Sequence, residues 1–281
     1  MKQKRVLTIQ DISCLGQCSI TVALPIISAM GVETCIIPSA VLSTHTSGFS
    51  GYTFRDLTEE IPLISAHWQK EKIAFDAIYT GYIGSKKQLE YIADIFEKFG
   101  IDGCKVIIDP VMGDKGKLYP GFDKEFAGKM AKLCSYADVI LPNFTEAAFL
   151  LGEPYVENGY TKEWLHDFLR RLAGLGAKTV VLTGVSFEPK KLGVAVYDAK
   201  TDGVGYYFRD RVPGETHGTG DVFASSFVGA LMQGKTIEQA AALAADFVVE
   251  CIEHTLPDKQ QHWYGVKFEE CIPYLIERMN K

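Results

Sequence analysis

Short β-rich runs alternate with longer helical ones along most of this chain, and that alternation narrows its possible folds more than any other feature. The runs Val6 to Gln10, Thr34 to Ile37, Ala77 to Thr80, Val106 to Asp109, Val139 to Leu141 and Thr179 to Leu182 are bounded by turn formers or charges. Between most of them lie segments of helical character: Ser19 to Met30, Leu57 to Lys70, Lys86 to Phe99, Phe122 to Ser135 and Lys162 to Leu175. This βαβα rhythm predicts a largely parallel sheet covered on both faces by helices. Leu192 to Tyr197 and Val204 to Arg209, joined around Asp202-Gly203, read instead as a hairpin. From Asp221 onward the pattern is helical only: Asp221 to Gln233, Thr236 to His254 and Lys267 to Met279. No linker rich in Pro, Gly or Ser divides the 281 residues and no repeat is visible, so a single α/β domain over 1–281 is expected.

The charge balance removes several classes of function. A net charge of −6, without a Lys/Arg block, argues against a nucleic-acid footprint. No apolar stretch is long enough to span a bilayer, and Met1 to Arg5 lead into a strand-like run rather than a signal-peptide core. Seven cysteines, an odd number, read as reduced thiols, so a cytoplasmic location is expected. Cys14 and Cys18 have no second pair or nearby His to complete a zinc site and are expected to be free thiols.

Ligands of open parallel sheets bind beyond the carboxyl ends of the strands, so the residues there deserve inspection. Asp11, Ser13 and Gly16 follow the first predicted strand, and Ser43-Thr44-His45-Thr46-Ser47-Gly48 the second. Thr80-Gly81-Tyr82-Ile83-Gly84-Ser85, Asp109 to Asp114, Asn143-Phe144-Thr145-Glu146 and Thr183-Gly184 follow later ones. Turns favour such residues anyway, but six polar, glycine-containing or acidic ends on one edge predict a site.

The most pointed of these segments is Gly218-Thr219-Gly220-Asp221. It closes a turn-prone stretch, Val212 to His217, and opens a buried-helix pattern through Leu231. Glycines at a helix start leave N–H groups and the positive dipole end open to an anion. Asp221 there is either an ordinary N-terminal carboxylate or a base that accepts a proton from an attacking hydroxyl. Asp109, Asp114, Asn143 and Glu146 are oxygen ligands suited to Mg²⁺ held largely through water, although Asn143 and Glu146 also match a helix cap. Tyr82 reads either as a ring exposed for stacking or as a core aromatic. His45 and His217 stand in the site loops, with no Ser-His-Asp ordering. Gly229 to Thr236 satisfies the pattern G-x4-G-K-T, but it lies within a predicted helix rather than after a strand, which a phosphate loop requires.

With these loops in place the chain resembles the ribokinase superfamily and, within it, the pyridoxal, pyridoxamine and pyridoxine kinases. The likeness rests on Ile9-Gln10 before a Gly16 turn, His45-Thr46, Tyr79 to Tyr82, Asp109 to Asp114, Pro142-Asn143 with Glu146, and Gly218 to Asp221. It covers nearly the whole chain. The resemblance implies a ribokinase-like doubly wound α/β fold without a separate lid domain, usually a homodimer, that binds ATP, Mg²⁺ and a B6 vitamer. Carried over, it makes Asp221 the general base and Gly218, Thr219 and Gly220 the anion hole. Asp109, Asn143 and Glu146 would organise Mg²⁺ and the ATP phosphates, with Asp109 and Glu146 nearest the metal and Thr183 along the nucleotide. Asp11, Thr46 and Tyr82 would face the pyridine ring, Tyr82 by stacking.

Two positions depart from the pattern of these kinases. Asp11 stands where Ser is frequent, and Leu141 where Thr is common before Pro-Asn. The first suggests a preference for an ammonium-bearing vitamer, and the second removes a nucleotide-side hydroxyl. The alternatives are a hydroxymethylpyrimidine kinase, a sugar kinase and a non-catalytic binding protein on the same fold. His217 is reminiscent of the first, but those enzymes often carry Cys where this chain has Asp221. The missing lid disfavours the second, and Asp221 with the Asp109/Glu146 region disfavours the third.

Overall fold

The structure is a computed structural model that describes residues 3–213 and 216–280. Gly214 and Glu215, in the predicted turn before Gly218, lie outside the described residues. The chain opens with β1 (Arg5–Ser13), α1 (Ile20–Ala29), β2 (Glu33–Leu42) and β3 (Phe54–Asp56). Next come α2 (Glu60–Lys70), β4 (Ala77–Thr80), α3 (Lys86–Phe99) and β5 (Lys105–Ile108). A small ribbon, β6 (Gly113–Asp114) with β7 (Lys117–Leu118), precedes α4 (Lys124–Leu133), β8 (Val139–Ile140), α5 (Phe144–Leu151) and α6 (Lys162–Ala173). Strand β9 (Thr179–Val185) leads to the hairpin β10 (Lys191–Asp198) and β11 (Gly203–Asp210). Helices α7 (Thr219–Met232), α8 (Ile237–Thr255) and α9 (Phe268–Met279) follow.

Nine strands form one sheet in the order β11-β10-β9-β8-β5-β4-β1-β2-β3. Strands β2, β1, β4, β5, β8 and β9 run parallel, and antiparallel pairing is confined to the two edges. Both faces are covered. Leu7 and Ile9 of β1 and Ile78 of β4 point into a core with residues of α2 to α6, whereas Val6, Ala77 and Tyr79 point into a core with α1 and α7 to α9. The chain winds from β1 to β2 on one side and to β4, β5, β8 and β9 on the other. The crevice between β1 and β4 is therefore the topological switch point, where such sheets bind ligands.

Asp11 lies inside β1 rather than after it, contrary to the sequence expectation. A register shift between Gln10 and Ile12 lets the strand run on to Ser13. A bulge of this kind re-aims one side chain without ending the pairing. Gly229 sits within α7, where an added Cβ would come 2.3 Å from Met30 Sδ, and Thr236 caps α8. The G-x4-G-K-T match is thus helix, turn and cap, as its context predicts.

Asp246 of α8, with a side chain only 4% exposed, fastens the C-terminal helices to the sheet edge. It accepts hydrogen bonds from the Tyr207 hydroxyl (2.7 Å), Arg278 Nε (2.8 Å) and Arg209. Burial alone would raise its pKa, but these three donors hold it below the usual carboxylate range. Asp246→Ala strands two guanidinium groups. The loss from such a break, about 3–5 kcal/mol in a fully buried setting, should fall to roughly 2–4 kcal/mol because water reaches both arginines. Urea unfolding of the variant measures this, and an unchanged midpoint would exclude the anchoring role.

Candidate active site

A cleft of about 550 Å³ runs along the carboxyl ends of the parallel strands. It brings together every residue that the resemblance placed at a ligand, whereas Gly16, Gly81 and Ser85, also singled out in the sequence, are not among its lining residues. Asp11, Thr46 and Tyr82 line it, as do Gly218 to Asp221, and Asp109, Asn143, Glu146 and Thr183. The acidic groups are neighbours in a row: Asp11 acts on Asp221, Asp221 on Asp109, and Asp109 shares its surroundings with Glu146.

The start of α7 is the candidate anion-binding element. Ser85, Asp123, Asn143, Thr161 and Thr236 each cap their helix with a side chain, but α7 begins at Gly218 with no side-chain cap. The first N–H groups of α7 are therefore left to a ligand. Gly218 has φ +77°, and a Cβ there would come 1.9 Å from the Gln17 carbonyl oxygen. Gly220 differs, since among the described residues nothing beyond its own helix lies within 4 Å of an added Cβ. Its missing side chain leaves the cleft open. Both glycines serve the cradle, one through the backbone turn and one through space.

Asp221 stands in the first turn of α7. Burial pushes its carboxyl up to about 7, and the charge of Asp11 adds to this. The Ser19 N–H and the Cys18 thiol act on it as hydrogen-bond donors and pull the other way. A carboxylate balanced near neutrality is suited to take up and release a proton under working conditions.

Across the cleft, Asn143 and Glu146 form a capping box. Asn143 Oδ1 accepts the Glu146 N–H (2.9 Å) and Glu146 Oε2 accepts the Asn143 N–H (2.8 Å). Glu146 Oε1 also accepts the Met112 N–H at 3.3 Å, and Asn143 Nδ2 donates to the Gly113 carbonyl at 3.0 Å. The cap reading is realised, and it fastens the β5–β6 segment to α5. Asp109 and Glu146 are 6% and 4% exposed, and burial raises both pKa values. For Asp109 the charges of Glu146 and Asp221 raise it further, and no hydrogen-bond donor offsets them. Two crowded buried carboxylates without a basic partner form a region that a divalent cation would relieve. Mg²⁺ commonly uses one or two carboxylates, water and substrate phosphates, so these residues fit it. Thr183, at the end of β9, contacts the Pro142 carbonyl through its amide at 3.0 Å and lines the same part of the cleft.

Another part of the lining carries the rings of His45 and Tyr82. Asp11 is 4% exposed and accepts the Ser13 hydroxyl at 2.8 Å. His45 Nδ1 accepts the Ser47 N–H (3.1 Å), so Nε2, 2.7 Å from the Tyr264 carbonyl, carries the proton. Burial lowers the His45 pKa, in keeping with that neutral tautomer. Tyr82 is half-buried with its ring 5.6 Å from Phe122, and Thr46 is exposed at the rim.

Some lining residues were not singled out in the sequence. Val194, Val212, Ala245, Val248, Val249 and Ile252 give the cleft an apolar wall. Four of these belong to α8, whose apolar residues also fill the core on another face. A helix apolar on more than one side was the available signal. Cys18 and Ser19, against Asp221, were also missed. All seven cysteines are free thiols, and no helix among the described residues is long and apolar enough to cross a membrane.

The chain matches the family model for phosphomethylpyrimidine kinase over residues 20–265. A candidate phosphomethylpyrimidine kinase from Bacteroides thetaiotaomicron, crystallised in an orthorhombic form with pyridoxal, is 38% identical with a TM-score of 0.92 over 98% of this chain and 96% of that one. Pyridoxal kinase from Lactobacillus plantarum is 32% identical with a TM-score of 0.89, covering 98% and 97% of the two chains. Among curated proteins, a hydroxymethylpyrimidine/phosphomethylpyrimidine kinase of Bacillus subtilis is 28% identical over 227 residues, 78% of each chain. The matching relatives thus divide between two kinase names on one fold. With the uncapped α7, the acidic row and the doubly wound sheet, they identify the chain as a pyridoxal kinase-like member of the phosphomethylpyrimidine kinase family, in the ribokinase superfamily.

Proposed function

We propose that the protein phosphorylates the hydroxymethyl group of a B6 vitamer, pyridoxal, pyridoxamine or pyridoxine, with ATP as donor. The observation that carries this is Asp221, poised near pH 7 at an uncapped helix start within the same cleft as Asp109 and Glu146. Asp221 takes the proton from the substrate hydroxyl as it attacks. The N–H groups from Gly218 onward receive the negative oxygens of the group in transfer. ATP supplies the phosphoryl group, and a bound Mg²⁺ would neutralise its charge. Asp109 and Glu146 would hold the metal, Asn143 fixes Glu146, and Thr183 would lie beside the nucleotide. Tyr82 stacks on the pyridine ring, Thr46 closes its rim and Asp11 meets its substituents.

Two points favour the pyridine over the pyrimidine. Asp occupies the position where hydroxymethylpyrimidine kinases often have Cys, and the 38%-identical structure is a form with pyridoxal. His217 just before Gly218, together with the mixed names of the relatives, supports the second reading, a hydroxymethylpyrimidine kinase. A homodimer belongs to the same proposal, and sedimentation should show a species of twice the chain's mass.

Calorimetric titration of pyridoxal, paired with ADP measurement under saturating Mg-ATP, tests the enzyme against a binding protein. Binding with ADP release is expected; binding without it would replace the kinase by a vitamin carrier. Asp11 sets a second expectation. A charge-assisted bond to the pyridoxamine ammonium is worth about 1.5–3 kcal/mol. Asp11→Ser should therefore lower kcat/KM for pyridoxamine roughly 10- to 100-fold relative to pyridoxal. An unchanged ratio would remove Asp11 from substrate choice.

A further inference from the structure

We infer that Gln88 is a positioning residue for Tyr82: from behind the cleft lining, its side chain ties the loop that carries Tyr82 to β2 and to the turn between β3 and α2. The inference rests on Tyr82 facing the substrate ring, as proposed above.

The place of this glutamine is the first observation. The buried stripe of α3 consists of Gln88, Leu89, Ile92, Ile95, Phe96 and Phe99, and Gln88 is its polar member. It is 1% exposed. A leucine would fill the stripe without burying an amide, whose polar atoms each need a partner. The partners explain the choice.

Gln88 Oε1 accepts the Gly84 N–H at 2.8 Å. Nε2 donates to the Ser39 carbonyl of β2 (3.0 Å) and to Thr58 Oγ1 (2.9 Å), with Asp56 Oδ1 at 3.4 Å. An N–H on one side and a carbonyl on the other fix which end of the amide points where. These anchors are themselves held. Thr58 donates to Asp56 Oδ1 through its amide (2.8 Å) and its hydroxyl (2.6 Å), and the Ser39 carbonyl also accepts the Leu57 N–H (3.0 Å). Strands β2 and β3 bracket the loop that carries Thr46, so one side chain links the supports of both loops expected at the ring.

The bond to Gly84 also departs from the usual role of this position. Gln88 is the N3 residue of α3, where Glu or Gln ordinarily returns to the N-cap amide. Glu146 of α5 and Gln239 of α8 do so. Ser85 Oγ accepts the Gln88 amide at 3.2 Å, but the Gln88 side chain goes to the residue before Ser85. The Gly84 N–H has no backbone acceptor among the described residues, so Gln88 is what holds it. Gly84 in turn lies between the two side chains. An added Cβ there would be 3.6 Å from Gln88 Oε1 and 3.7 Å from Tyr82 Cε1. The Tyr82 ring thus rests against a glycine whose amide Gln88 fixes. Gln88 does not line the cleft itself, so it acts on a ligand through Tyr82.

Single-amide hydrogen exchange and steady-state kinetics with Mg-ATP and pyridoxal provide the test. The full-length wild type is compared with Gln88→Met, Gln88→Glu, Tyr82→Ala and the Gln88→Met/Tyr82→Ala double variant. In the wild type the Gly84 amide should exchange roughly 10-fold more slowly than in Gln88→Met. Gln88→Met should raise KM for pyridoxal about 5- to 10-fold and leave KM for ATP within about 2-fold. Gln88→Glu keeps an acceptor for Gly84 but loses the donors to Ser39 and Thr58. It should melt below wild type yet keep most of the Gly84 protection and a KM for pyridoxal nearer to wild type. In the Tyr82→Ala background, Gln88→Met should add little to KM for pyridoxal, because both changes act through one ring. Additive effects in that cycle, or an equal rise of both KM values, would make Gln88 a packing residue and overturn the inference. So would a Gly84 amide that exchanges freely in the wild type. If wild type and Gln88→Met turn over pyridoxal alike, only the positioning role falls. If the wild type turns over no vitamer, the function proposed above falls, and the role of Tyr82 with it.

Discussion

Asp221→Asn is expected to lower kcat by about 10²–10⁴-fold, the usual cost of losing a general base. KM for ATP should change little, because the amide fills the same space and the first amides of α7 remain in place. The same substitution should raise Tm at pH 8. The sign follows from linkage. Burial lifts the folded pKa of Asp221 to about 7, from 3.8 for an ordinary aspartate. The folded protein therefore binds the extra proton between these limits, and stability from this group is lost as pH rises from about 4 through about 7. Above pH 7 the buried charge costs up to roughly 4 kcal/mol, at about 1.4 kcal/mol per pKa unit. Asn carries no charge, so its advantage should be clear at pH 8 and vanish towards pH 4. Wild-type kcat/KM should fall on the acid side of about pH 7, where Asp221 becomes protonated. A variant with wild-type turnover, or one less stable than wild type at pH 8, would contradict the assignment.

The second large effect is at the start of α7. Gly218→Ala drives a Cβ to within 1.9 Å of the Gln17 carbonyl oxygen, at a residue with φ +77°. Backbone rather than a flexible side chain meets it, so the loop must move and carry the donor amides with it. Removal of one such donor typically costs about 10²–10³-fold in kcat. Strain of about 1–3 kcal/mol should appear in unfolding experiments as well. Gly220→Ala separates the two contributions. Among the described residues its Cβ meets no atom beyond its own helix within 4 Å, so the fold should keep its stability while the methyl group narrows the cleft for the transferred group. Turnover in Gly218→Ala equal to wild type would show that the α7 amides do not receive the phosphoryl oxygens. A destabilised Gly220→Ala would show that this glycine serves folding instead.

Much of this arrangement was readable because parallel strands and covering helices carry strong periodic patterns. Strand β4 and helix α3 have the predicted bounds, and the hairpin β10–β11 lies where Asp202-Gly203 placed it. The cleft follows from topology, since residues after successive parallel strands meet on one edge. What escaped depends on contacts or backbone angles that no residue type announces. Strand β3 is three exposed residues whose pairing with β2 exists only in the folded sheet. The ribbon β6–β7 is equally short, and its first half, Gly113–Asp114, falls in a segment read as a polar strand end. The bulge that keeps Asp11 inside β1 is a matter of register. The left-handed turn at Ser19 uses a residue with no marked preference for it. Asn143 and Glu146 illustrate a different limit: the cap and the ligand region were weighed as alternatives, yet the structure makes the cap while the same residues line the cleft.

Wild-type ADP release with Mg-ATP, measured as kcat/KM on pyridoxal, pyridoxamine, pyridoxine, hydroxymethylpyrimidine and ribose, tests the central claim most directly. The proposed function predicts turnover of at least one vitamer with a higher kcat/KM than the pyrimidine, and none on ribose. Turnover confined to the pyrimidine would contradict it.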